Sequence, residues 1–327
     1  MWTVTIYFAG SKMWRDQPWW LRNARQYGIA IVLLLAVIGA FIAVPDFNTE
    51  ENVGNVVIQS AALGVLAIGQ TFVIVCGLID LSVGQLLGLI VVLSCDFAAG
   101  RPEWFIAAVT MALVIGVGSG AITGLLNNWL LIHPLILTFG LLSILQGVIF
   151  LYTDRSIGQA PPQFAWLANG RLAGVPAAAL VLALLTATAH LVLTRTAVGR
   201  HICAVGGNEE NARRAGINTH GVKLFTFVIS GVSAGFAAVL VAGRLGTGFP
   251  NAGSGYELDA VVAVVLGGTS LAGGTGNVIC TVAAAFVLGL ISNALNLLQI
   301  STFVQILVKG LIVIGAILVN QPTGEPS

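Results

Sequence analysis

Residues 105–153 contain no Asp, Glu, Lys or Arg, and neither do residues 260–308. Each of these stretches is more than twice the roughly 20 apolar residues that a helix needs to cross a hydrocarbon layer of about 30 Å. In lipid every backbone N–H and C=O has to be satisfied within the protein, so such stretches fold as membrane-crossing helices. The rest of the composition agrees. Hydrophobic residues make up 57% and charged residues 8%, with a mean hydropathy of +0.95, whereas a soluble domain carries about 25% charged residues. A soluble all-helical core is thereby excluded, and a net charge of +1 gives no basis for a nucleic-acid partner. The 40 glycines suit helices that pack backbone to backbone in lipid.

Apolar runs between polar or Gly/Pro breaks predict about ten helices, near 27–44, 55–78, 81–98, 104–126, 130–152, 172–193, 224–243, 258–271, 278–297 and 302–319. The chain is thus expected to be an all-α polytopic membrane protein. The 258–271 run is short, so a tilted, broken or re-entrant helix fits it as well as a full crossing. Residues 1–26, with Trp14, Trp19, Trp20, Lys12, Arg15, Arg22 and Arg25, form an interfacial segment, with no cleavable signal peptide ahead of the first helix. Met1 and Met13 both offer a start. Residues 27–320 make up the membrane domain and 321–327 a short tail. With the N-terminus inside, the cytoplasmic segments collect those four N-terminal cations together with Arg195, Arg200, Arg213, Arg214 and Lys223. Outside fall only Arg101, Arg155, Arg171 and Arg244, which is the asymmetry of the positive-inside rule.

The loop 194–223 is the charged exception in an apolar chain. Asn208 suits a helix N-cap, Glu209 and Glu210 the first turn, Arg213 and Arg214 the last turn, and Gly216 the left-handed position after the end. Such a helix is too short to be stable alone in water and needs a partner surface. A solvated loop that only satisfies the charge rule is the alternative.

With "GLIDLSVG" at 77–84 and "GYELDAVVAVVLGGTSLAGG" at 255–274, the segment "GRHICAVGGNEENARRAGIN" resembles the permease subunit of ribose-type ABC sugar importers, over about residues 28–320. The resemblance implies a coupling helix at 208–216 that docks on an ABC ATPase subunit. It also implies a second permease subunit, a periplasmic or extracellular sugar-binding protein, and the bacterial inner membrane as the location. ATP and Mg would belong to the ATPase, with no cofactor on this chain; no G-x-x-x-x-G-K-[ST] phosphate loop occurs in it. The chain departs from the family at Leu78, where a second glycine is usual, at Thr275, where Arg is frequent, and at His133-Pro134 in place of a Pro-Pro pair.

Polar residues inside apolar runs are candidates for the transport route. Asp80, followed by Ser82, sits where two apolar runs join. It can cap a helix starting at Leu81 or serve as a gating or pathway residue. Glu257 and Asp259 hold the same position before the 258–271 run, again as helix-start charges or as pathway residues. Because "GLIDLSVG" and "GYELDAVV" enter from opposite faces in this topology, they are candidates for an inverted repeat, with chance similarity as the alternative. Asn293 and Asn296 can join helices or meet sugar hydroxyls. Lys309, four residues from Gln305, needs a carboxylate or carbonyl partner in the last helix. Cys76, Cys95, Cys203 and Cys280 have no paired spacing, and His133, His190, His201 and His220 form no metal or nucleophile pattern. Two other functions are open: an ion-coupled secondary transporter with Asp80, Glu257 and Asp259 as its relay, and an intramembrane enzyme, which lacks any paired catalytic set at helical spacing.

Overall fold

The computed structural model describes residues 37–39, 44, 47–130, 132–301, 303–308 and 310–311. The interfacial segment 1–26, the tail 321–327, Lys309 and most of the predicted helices 27–44 and 302–319 lie outside the described residues. The long helices are α1 (Glu50–Val75), α2 (Val83–Ala98), α3 (Phe105–Leu130), α4 (Pro134–Tyr152), α6 (Ala177–Arg195), α9 (Thr219–Leu245) and α11 (Val278–Leu297). The short ones are α5 (Pro162–Asn169), α7 (Ala197–Gly207), α8 (Glu209–Arg214) and α10 (Tyr256–Leu266), and a small hairpin pairs β1 (Arg171–Leu172) with β2 (Val175–Pro176). Among the described residues, six helices are long and apolar enough to cross a membrane, and α2 is a shorter apolar helix.

Local chemistry sets the helix ends. Thr49 caps α1 by accepting from Asn52 N at 3.3 Å, which starts the helix five residues before its apolar run. Pro134 occupies the first turn of α4, where its missing N–H costs nothing. The predicted 258–271 crossing is a broken helix. Only Tyr256–Leu266, 11 residues, is helical, a length of about 17 Å that cannot span the layer. It stops because Gly268 is left-handed and Thr269 N turns back to Val264 O at 3.2 Å. Helices α5 and α7 and the hairpin have no counterpart among the predicted elements.

The four arginines expected outside sit at one end of the bundle. There Gly100 N donates to Gln159 O at 2.8 Å and Ala160 N to Gly246 O at 3.0 Å, and Arg171 lies near Gly54 at the start of α1. Arg195, Arg200, Arg213, Arg214 and Lys223 lie with α7, α8 and the start of α9 at the other end, the α8 end. Between these ends the packing repeats in inverted form. Helix α3 packs along α9 as α11 packs along α1, and α2 lies against α9 as α10 lies against α1. The α3–α9 contact is so close that a Cβ at Gly231 would fall 2.0 Å from Gly116 O.

Both α2 and α10 begin within the bundle. The chain turns back at Gly77 at the α8 end and starts α2 at Val83; from Gly248 at the opposite end it returns inward and starts α10 at Tyr256. The two starts meet: a Cβ at Gly253 would fall 1.8 Å from Gly84 O. Neither backbone has a side chain to move aside. We expect Gly253→Ala to destabilise the protein by about 2 kcal/mol, seen as a lower melting temperature in detergent, while Gly140→Ala, where a Cβ meets nothing within 4 Å, leaves it unchanged.

Candidate functional site

Three groups of residues singled out by the sequence fall at three places. The first is α8. Asn208 Oδ1 accepts from Asn211 N at 2.8 Å, which satisfies one orphan donor of the first turn. At the other end Gly216 has φ +84°, Gly216 N donates to Arg213 O at 3.0 Å and Ile217 N to Ala212 O at 3.1 Å. This pair of bonds closes the helix with a left-handed glycine. Glu210 ties to Arg213 and accepts from Arg214 Nε at 3.0 Å, and these two guanidiniums, Arg214 first, hold its carboxyl below the usual carboxylate range. Lys223 Nζ, largely covered, meets Glu209 Oε2 at 2.6 Å and fastens α8 to α9. Ala212 is the one residue of Asn208–Gly216 that is buried; the remaining surface of α8 is displayed at the end of the bundle. Beside it Val198, His201, Ile217, Val222 and Phe225 line a largely apolar recess of about 390 Å³.

The second place is the break before α2. Asp80 is 3% exposed. Its Oδ1 accepts from Ser82 N at 3.0 Å and Ser82 Oγ at 2.6 Å, and its Oδ2 accepts from Ser230 Oγ of α9 at 2.9 Å. The Gln70 amide, oriented to suit, donates to Asp80 O at 3.2 Å and accepts from Asp80 N at 3.3 Å. The expectation that Asp80 caps a helix starting at Leu81 is corrected: α2 starts at Val83, Ser82 is the N-cap residue, and Asp80 serves the residue before the helix. The carboxylate still sits near the positive end of α2, now as a tie between that break and α9.

The third place is the start of α10. Glu257 and Asp259 lie in its first turn, and Glu257 Oε1 accepts from Gly255 N at 3.2 Å. Glu257 Oε2 is buried without a hydrogen-bond partner and lies against Gly84 at the start of α2. The structure thus brings Glu257 to the α2 start that Asp80 serves, and keeps α8 apart at the end of the bundle. Asn293 and Asn296 are bound to other helices: Asn293 Nδ2 donates to Asn52 Oδ1 at 2.8 Å, and Asn296 Oδ1 accepts from Gln305 Nε2 at 2.8 Å. Ser230, Gln70 and Asn52 were not found from the sequence, because their partners lie on other elements. Among the described residues no His, Cys, Asp or Glu cluster could hold a metal ion.

A bundle of apolar helices with two inverted breaks meeting in its interior, and a capped polar helix displayed at one end, defines a membrane transport component. Residues 52–318 match the family described as branched-chain amino acid transport system / permease component, and the chain belongs to that family. Over 306 residues the chain is 36% identical to the ribose import permease protein RbsC of Escherichia coli K12, covering 92% of this chain and 94% of that protein. It is 32% identical to the D-allose transport system permease protein AlsC of the same strain, over 90% and 91% of the two chains. With the L-arabinose transport system permease protein AraH of that strain it shares 33% identity, over 90% of each. No solved structure matches. The chain is a multi-pass permease of the bacterial inner membrane, all-α as expected.

Removing the Asp80 carboxylate leaves Ser82 N and two hydroxyls without their acceptor. Asp80→Ala is expected to cost about 2–3 kcal/mol and Ser230→Ala about 1 kcal/mol. Thermal unfolding of the purified variants checks the order.

Proposed function

We propose that this permease is the membrane-spanning subunit of an ATP-driven, binding-protein-dependent importer of a monosaccharide, and that α8 is where it docks on its ATPase. The observation that carries the reading is the build of α8. Six residues cannot hold a helix in water by themselves, yet here both ends are capped, an ion pair pins it to α9, and almost all of its surface is left displayed. That is the form of a docking element, and the apolar recess beside it offers room for a side chain of the partner. ATP and Mg are assigned to that partner. The cargo reading rests on relatives named for ribose, D-allose and L-arabinose, although the family description refers to branched-chain amino acids. A soluble sugar-binding protein delivers the cargo, and a second permease subunit completes the route. Asp80, Ser82, Glu257 and Asp259, at the two breaks, are the proposed pathway or gating residues.

The second reading, an ion-coupled secondary transporter, is favoured by one observation: the unpartnered oxygen of Glu257, a titratable site inside the bundle. Energy source separates the two. The purified chain in liposomes is expected to move no sugar with or without a proton gradient, and to do so once ATPase, binding protein and ATP are supplied. Gradient-driven uptake by the chain alone, abolished in Glu257→Gln, overturns the importer reading.

Docking is tested at Gly216. A β-branched residue held left-handed is strained by about 1–2 kcal/mol, so Gly216→Val is expected to insert normally in the membrane and to co-purify less ATPase. Undiminished co-purification and ATP-driven uptake would remove α8 from the contact.

A further inference from the structure

Helix α7 runs directly into α8, and its last turn ends against two other main chains. A Cβ at Gly206 would fall 1.8 Å from Val75 O, at the end of α1, and 2.7 Å from Gly274 N, in the loop between α10 and α11. Gly274 N itself donates to Val75 O at 2.8 Å. A Cβ at Gly273 would lie 2.6 Å from Gly206 O and 2.9 Å from Gly77 Cα. Gly77, Gly273 and Gly274 all have positive φ, at 79°, 85° and 80°. Three main chains therefore touch with no side chain between them.

Each arm of this joint leads to one of the broken helices. From Gly77 the chain reaches Asp80 in three residues, and Asp80 is held by Gln70 and Ser230 just before α2 begins. From Gly273 the loop runs back to Gly268 and α10, whose far end places Glu257 against Gly84 of α2. A contact between side chains can absorb a small displacement by changing rotamers, whereas a contact between backbones in a dense interior hands it on. We propose that Gly206 is the positioning residue for coupling: it transmits movement of the α7–α8 unit together to the break before α2 and to the turn after α10, and through α10 to the break at its start. The proposal rests on the docking reading of α8 and adds where the movement goes.

The test uses the complete complex of permease, ATPase and binding protein in vesicles, with uptake and ATP hydrolysis measured together. Gly206→Ala is expected to keep its ATPase and to hydrolyse ATP while uptake per ATP falls roughly tenfold. Gly207→Ala, where a Cβ meets nothing within 4 Å, behaves as wild type. An unchanged ratio in Gly206→Ala overturns the proposal. Hydrogen–deuterium exchange on the wild-type complex decides independently of how that variant folds. Nucleotide is expected to change exchange in 197–207, 75–82 and 266–276 together, and a change confined to 197–216, or none in the other two segments, overturns the proposal. Failure of the wild-type complex to assemble or to use ATP strikes the docking reading instead, before any glycine variant is compared.

Discussion

Lipid offers the main chain no hydrogen-bond partner, so each place where a helix stops inside the apolar layer has to find its partners in the protein. Among the described residues the chain stops in this way before α2 and before α10, and much of the remaining structure serves those two stops. Gln70 supplies both a donor and an acceptor to the backbone of Asp80, and Ser230 reaches across from α9 to its carboxylate. At the other stop Gly255 N is met by Glu257, and Gly253 packs directly on Gly84. The inverted packing of α1, α2 and α3 against α9, α10 and α11 places the two starts side by side, so each break is covered by the other half of the chain.

The α8 end is built on different physics. Charge is inexpensive there, and the segment uses it for local order, with acids at the positive end of α8 and arginines in its last turn. Capping makes α8 rigid without burying it. The same segment passes inward through α7, where Ile202 and Val205 are buried and where glycine replaces side chains at the joint. On the proposed docking reading, the displayed end and the side-chain-free interior end are the two arms of one lever.

What could be read from the sequence followed how local the signals were. Helix α11 lies where its apolar run placed it, because Asn277 caps its start by accepting from Ile279 N and Cys280 N. The bounds of α8 were readable from Asn208 and Gly216 for the same reason. Helix α1 begins at Glu50 although its polar first turn hides the start from a hydropathy criterion. Helix α7 was missed because "AVGRHICAVGG" holds three glycines and is helical through tertiary contact. Asp80 could be marked as costly, but its role could not be chosen, since Ser230 lies 150 residues away and no pattern within one helix shows it. The weak likeness of "GLIDLSVG" and "GYELDAVV" corresponds to two real breaks of opposite direction.

The shortness of α10 bears on how the protein is made. Eleven residues are too few to leave the translocation machinery as an independent span, and the turn after α10 meets Val75 through Gly274 N, while its start rests on Gly84. Both contacts belong to the half of the chain synthesised first. The N-terminal half thus carries both of the backbone contacts that seat α10, so the placing of α10 depends on α1 and α2 being in position.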